Sequence, residues 1–320
     1  MAMTVAITGG SGFIARRLVL QHLERGDTVR VLSRRPLQAS GLADAKSLLW
    51  YQGDLRQPET LQRFVDQADL VYHCAGEIRD TRLMHAVNIT GTENLLTAAT
   101  GRIGRWVQLS SVGAYGPYRS GIVTESSPLH PQGEYEISKV QSDRLVEAAA
   151  NQSAFAYVIL RPSIVYGPDM SNQSLFSLIA LINKGWFFFI GPAGASANYV
   201  HVDNVVKALL LCGTSAQAQG QTYNLSDYRT LEQFVDIITH TLGFQRRLPR
   251  LPEWPVRALV EVLGRLPGMP LTNSRVDALT NRTVYDYSKI VRELAYSHAL
   301  SMEAGLTQLV TDWRAKRITP

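Results

Sequence analysis

With 320 residues, 45% of them hydrophobic, the chain is long enough to bury a large core and to divide into one big and one small lobe. Its two cysteines, Cys74 and Cys212, make neither a disulfide framework nor a metal pattern, so a reducing, cytoplasmic setting is the default expectation. The formal charge of +5 and the pI near 9.2 suit anionic ligands, but no Lys/Arg run is long enough to expect nucleic-acid binding.

The chain opens on Met3-Thr4-Val5-Ala6-Ile7, a short β-branched apolar run that reads as a buried parallel strand and is too short for a signal peptide. Thr8-Gly9-Gly10-Ser11-Gly12-Phe13-Ile14-Ala15 follows at once, and helical periodicity runs over 13–24 through Phe13, Ile14, Leu18 and Leu23. Strand, glycine turn and helix start are the dinucleotide fingerprint in its required context. Gly9 permits the tight turn, and Gly12 lets the backbone approach a pyrophosphate at the helix N-terminus. The second strand, 28–32, ends in Ser33-Arg34-Arg35. An acidic residue at this strand end would bind the ribose 2′-hydroxyl of NAD; Ser33 and two arginines suit the 2′-phosphate of NADP, with Arg16 as an additional contact. NADP is therefore expected ahead of NAD. A third strand closes on Gly53-Asp54-Leu55, where Asp54 is placed to accept from an adenine amino group. A fourth, Val71-Tyr72-His73-Cys74, leads into Ala75-Gly76 beside the cofactor, with His73 and Cys74 read as packed strand residues.

A helix is expected over 82–100, and it carries Asn88-Ile89-Thr90-Gly91-Thr92-Glu93-Asn94. The fifth strand, 106–109, ends in Ser110-Ser111, where open α/β sheets bind ligands. Tyr135 and Lys139 stand four apart, on one face of a helix. There a lysine cation can stabilise tyrosinate and pull a phenol pKa of about 10 toward neutrality, fitting the tyrosine for proton transfer. A further strand, 156–160, precedes Arg161-Pro162-Ser163-Ile164-Val165-Tyr166-Gly167-Pro168. The most apolar later stretch, 175–190, is broken by Asn183-Lys184-Gly185 and does not read as a membrane span.

These residues, in this order, resemble the extended short-chain dehydrogenase/reductase superfamily, which includes the NAD-dependent epimerase/dehydratase family. The match runs from Thr8 to about Leu225 and continues weakly through Tyr287-Ser288-Lys289 and Arg292-Glu293-Leu294. It implies an α/β fold, a doubly wound parallel (Rossmann) sheet with a smaller C-terminal substrate-binding lobe. The expected boundaries are 1–165 plus about 199–226 for the NADP-binding domain, and 166–198 with 227–320 for the lobe. The resemblance makes Tyr135 the general acid/base and Lys139 the residue that lowers its pKa and binds the nicotinamide ribose. Ser111 would hold the substrate oxygen, Asn88 would support the proton relay or the sheet, and Ser163 would contact the nicotinamide. Gly9, Gly12, Phe13, Ile14, Ser33, Arg34, Asp54, Leu55, Cys74, Ala75 and Gly76 complete the expected cofactor site. His201 and Asp203 are expected to tie the two lobes rather than to catalyse. A homodimer through the helices near 82–100 and 134–151 is implied as well.

Departures narrow the expected reaction. Dehydratases of this family carry an acidic pair where this chain has Val112-Gly113, and many sugar-nucleotide enzymes carry asparagine where it has Ile164. The expectation is hydride transfer between NADP(H) and a carbonyl or secondary alcohol of a small molecule. A nucleotide-sugar epimerase is the alternative, and a non-catalytic NADP-binding regulator comes third. Trp186-Phe187-Phe188-Phe189 and the segment 251–271 are expected to form the small lobe's core ahead of lining a pocket. Arg246, Arg247, Arg275 and Arg282 are read as solvated surface ahead of facing a diphosphate.

Overall fold

The computed structural model describes residues 2–42, 45–153, 155–244, 248–263 and 271–318. Among these, seven parallel strands form one sheet: β1 (Thr4–Thr8), β2 (Thr28–Ser33), β3 (Leu48–Gln52), β4 (Ala68–His73), β5 (Ile103–Leu109), and the strands Ala156–Pro162 and Gln221–Leu225. Across the sheet they run Gln221–Leu225, Ala156–Pro162, β5, β4, β1, β2, β3. Val5 of β1 is registered between Val29 of β2 and Leu70 of β4.

Both faces of the sheet are covered, which is why its strands read as continuous apolar runs. Val5, Ile7 and Val29 pack with Leu18 and Val19 of helix α1 (Ala15–Glu24) and with Val205 and Leu209 of the helix Val202–Thr214. Ala6, Leu32, Val71 and Trp106 face the other way, onto Leu61, Phe64, Leu95 and Val146. The order reverses between β1 and β4, so the loops after their carboxyl ends part and leave a crevice.

The expected continuous helix over 82–100 is instead three pieces. An α-helical turn Thr81–Met84 and the helix Gly91–Ala99 flank a π-helical stretch, His85–Thr90. Wider turns of this kind occur at functional positions, and here the stretch contains the buried Asn88. Periodicity alone does not distinguish a 3.6-residue turn from one local π-turn.

A second core gathers Tyr166, Leu175, Ile179, Phe187, Phe189, Phe234, Ile238, Leu306 and Val310. Phe187 and Phe189 meet edge to face at 5.2 Å, as the core reading requires, whereas Trp186 is 69% exposed. In the segment 251–271, Val256 and Val260 pack onto Ile190 and Val276, and residues 264–270 lie outside the described residues. Arg246 and Arg247 lie outside them too. Arg282 donates to the Pro192 carbonyl at 2.9 Å. Among the described residues no helix is long and apolar enough to cross a membrane, and no group of His, Cys, Asp and Glu is disposed to hold a metal ion.

Candidate active site

The glycine turn is shaped by close packing. Gly9 adopts φ +70°, and a Cβ there would stand 2.9 Å from Ala75 Cα. Gly10, which sequence reasoning passed over, is also tied to glycine, because a Cβ would meet Val31 Cγ1 at 2.4 Å. Gly12 donates its amide to the Gly9 carbonyl at 2.7 Å, closing the turn in front of α1.

The Thr8 hydroxyl fixes the floor of the crevice. Its Oγ1 accepts from the Cys74 and Ala75 amides, each at 3.1 Å. Both lone pairs are then used, so Thr8 donates to His73 Nδ1 at 2.8 Å, and His73 carries its proton on Nε2, facing Thr92 Oγ1 at 2.9 Å. Burial and the Lys139 charge push the imidazole down to about 3, and burial pushes the Cys74 thiol up to about 12. His73 is thus a neutral, fully bonded strand residue, as expected.

A cavity of about 450 Å³ occupies the crevice. It is lined by Thr8, Gly9, Gly12, Phe13, Ser33, Arg34, Asp54, Leu55, Cys74, Ala75 and Gly76. Ile14 is not part of this lining; its side chain packs against the sheet core, because the turn aims it inward, and only its backbone remains at the helix N-terminus. Ser33 bonds Ser11 Oγ at 3.0 Å and accepts from the Arg35 amide, leaving Arg34 exposed at the rim. Arg16 lies against the Gly41 turn rather than in the lining. Asp54 is held by Arg56 at 2.7 Å, which keeps its carboxyl below the ordinary range. Arg79, Asp169 and Ser171 also line the cavity, and Arg79 donates to the Ser171 carbonyl at 3.0 Å, strapping the loop after β4 to the loop after Pro168. Neither loop has a periodicity or motif that would have flagged this strap.

Ser111, Tyr135, Lys139 and Ser163 stand at the carboxyl ends of β5 and Ala156–Pro162 and on the helix Glu134–Ser153. Ser111 caps the short helical turn Val112–Tyr115, accepting from the Gly113 amide at 3.1 Å, and its hydroxyl lies close enough to the Tyr135 phenol to favour its ionisation. Lys139 is buried and donates to the Leu109 carbonyl at 2.5 Å.

The expectation that Lys139 pulls the phenol down requires correction. Burial holds the Tyr135 phenol above its ordinary value; the Ser111 hydroxyl is the opposing influence, and the Asp143 charge adds to the rise. The Lys139 ammonium is directed at the β5 carbonyl, and the protonated phenol is the stable form of Tyr135 here.

Asn88 reaches none of these groups directly. Its Nδ2 donates to Ser138 Oγ and to the Glu77 carbonyl, each at 2.9 Å, and its Oδ1 accepts from the Glu77 amide. It positions the Tyr135 helix against the loop after β4. Ser163 donates its amide to the Leu225 carbonyl at 2.8 Å, while its buried hydroxyl has no partner in the protein. His201 accepts from the Asp203 amide, and Asp203 pairs with Arg17 at 3.4 Å, which in turn donates to the Pro168 carbonyl. That arrangement ties α1 to the segment leading into the second core.

A family model described as the NAD dependent epimerase/dehydratase family matches residues 5–226. The chain is 29% identical over 323 residues to a 4-hydroxy-2-methyl-3-oxo-4-farnesyl-3,4-dihydroquinoline-1-oxide ketoreductase of Stigmatella aurantiaca, covering 96% of each chain. It is 26% identical to 3beta-hydroxysteroid-dehydrogenase/decarboxylase isoform 1 of Arabidopsis thaliana, over 95% of this chain and 78% of the other. The fold is shared with a UDP-glucose 4-epimerase of Thermotoga maritima, solved with UDP-glucose, at a TM-score of 0.75 and 22% identity over 98% of this chain and all of that one.

Proposed function

The chain belongs to the NAD-dependent epimerase/dehydratase family, an enzymatic one, and from that premise we propose that it is an NADP(H)-dependent oxidoreductase acting on a carbonyl or secondary alcohol of a small lipophilic molecule. The observation that carries this reading is the meeting of Ser111, Tyr135 and buried Lys139 at the carboxyl end of β5. The residues present fit a nicotinamide dinucleotide. A side chain at Gly9 or Gly10 would strike Ala75 or Val31, the cavity is lined by Arg34, and the orphaned Ser163 hydroxyl is available to the carboxamide. When bound, that cofactor supplies or removes the hydride.

The protein's own part is orientation and proton handling. Ser111 donates to the substrate oxygen and Tyr135 gives it a proton in reduction, or takes one in oxidation. Lys139 holds the ribose and keeps positive charge near the oxygen. Ile164, half exposed just beyond Ser163, offers an apolar contact where nucleotide-sugar enzymes carry asparagine, and the ketoreductase and the hydroxysteroid dehydrogenase are named for lipophilic frames. A sugar-nucleotide epimerase is the second reading, supported by the family description. The lobe division at about residues 165, 199 and 226 is part of this proposal, as is action in a cytoplasmic setting.

Cofactor choice is tested by titration. Ser33 and exposed Arg34 offer a 2′-phosphate a cation and offer a 2′-hydroxyl no carboxylate. NADPH is expected to bind at least roughly tenfold tighter than NADH, about 1.4 kcal/mol. Arg34→Ala should weaken NADPH and leave NADH nearly unchanged; equal affinities in the wild type would refute the preference.

Assembly is proposed as a homodimer in which the helix Glu134–Ser153 and the segment 81–99 pack against their symmetry mates. Light scattering at micromolar concentration should give twice the 35.5 kDa chain mass, and a strictly monomeric mass would remove the proposal.

A further inference from the structure

Tyr135, Lys139 and Asp143 succeed one another at intervals of four along Glu134–Ser153, so all three project from one helix face. Lys139 is 6% exposed and Asp143 2%. Asp143 Oδ2 accepts from Ser110 Oγ at 2.7 Å and from Arg161 Nη2 and Nε at 3.1 and 3.3 Å, while its Oδ1 is buried with no hydrogen-bond partner. The end of β5 is thereby gripped twice from the same helix, at the Leu109 carbonyl by Lys139 and at the Ser110 hydroxyl by Asp143. The next residue is Ser111. Arg161, on the other side of the carboxylate, lies two residues before Ser163.

We propose that Asp143 is a positioning residue of this site, whose carboxylate keeps Lys139 an ammonium ion and sets the ends of β5 and Ala156–Pro162 against the Tyr135 helix. The proposal rests on the reading of Lys139 as the cofactor-holding cation. Without the carboxylate, two buried cations, Lys139 and Arg161, would share this corner with no anion between them. The other groups facing it do not substitute. Glu147, one turn further along the helix, interacts with Arg161 but not with Lys139, Tyr135 is a neutral phenol, His73 and Cys74 of β4 are neutral, and Arg161 donates to Tyr115 Oη at 3.3 Å. Burial lowers the Lys139 pKa and the Asp143 charge raises it, so removing that charge makes the ammonium lose its proton at lower pH.

The test is the NADPH dissociation constant from pH 6 to 10, read by cofactor fluorescence, together with 15N NMR of the lysine side-chain nitrogen. Wild type should lose affinity on an alkaline limb that is absent in Lys139→Ala. In Asp143→Asn that limb and the Lys139 nitrogen titration should both move to lower pH by about 1 unit or more. If that variant does not fold, Asp143→Asn combined with Arg161→Met removes both buried charges and should show a smaller displacement in the same direction. A limb left in place, with affinity reduced evenly at every pH, would make Asp143 a purely structural residue and overturn the proposal. Wild-type NADPH binding by Lys139→Ala at all pH values would instead remove the site reading, and this proposal with it.

Discussion

Tyr135→Phe should lower turnover by roughly 10² to 10⁴, the contribution typical of a positioned general acid or base. The substitution keeps the ring and its packing in a pocket where Tyr135 is only partly exposed, and removes the one proton that faces Ser111. NADPH affinity should survive, because the phenol makes little of the expected cofactor contact. The pH behaviour has a definite sign. With the phenol held above its ordinary value by burial, the protonated form persists through neutral and moderately alkaline pH. At saturating NADPH, carbonyl reduction, which needs the proton on Tyr135, should therefore hold across that range and fall as pH rises through the elevated phenol value. Alcohol oxidation, which needs phenolate, should climb over the same interval. Stopped-flow rates in both directions check this; full turnover by Tyr135→Phe would show that the proton comes from elsewhere.

Lys139→Ala should damage binding and chemistry together. The ammonium is buried, bonded to the Leu109 carbonyl and one helical turn from Tyr135. Its loss removes the cation expected at the ribose and leaves the Asp143–Arg161 pair without its neighbour. A fall of roughly 10² or more in turnover is expected, with NADPH affinity reduced at least tenfold, about 1.4 kcal/mol. Measured side by side, Tyr135→Phe should separate turnover from binding and Lys139→Ala should not. Equal loss of cofactor binding in both would mean that the pair serves the fold.

Where function depends on local pattern, the sequence was readable. The β-branched run at residues 4–8, the glycine turn and the Tyr-x-x-x-Lys spacing are all short-range signals, and the sheet and the converging hydroxyls follow from them. What escaped is set by long-range packing. Gly10 is constrained by Val31 on the neighbouring strand, and Arg79 meets Ser171 across 92 positions. The π-helical stretch around Asn88 leaves the apolar spacing nearly unchanged. The raised phenol escaped as well: proximity to a lysine is visible as a spacing of four, but the burial that holds the phenol up belongs to the folded chain. The inward direction of the Ile14 side chain escaped for a related reason, since a turn residue's direction depends on the backbone and not on its motif.

On the proposed reading, the enzyme carries out net reduction of a ketone at the expense of NADPH. Purified protein should be incubated with NADPH and, separately, with a 3-oxosteroid, a farnesylated oxoquinoline and UDP-glucose, following cofactor absorbance and product together. At least one of the lipophilic ketones should be converted to its alcohol with one NADPH oxidised per molecule, and Tyr135→Phe should abolish this. Interconversion of UDP-glucose with its 4-epimer, with no net change in cofactor and no reduction of either ketone, would contradict it.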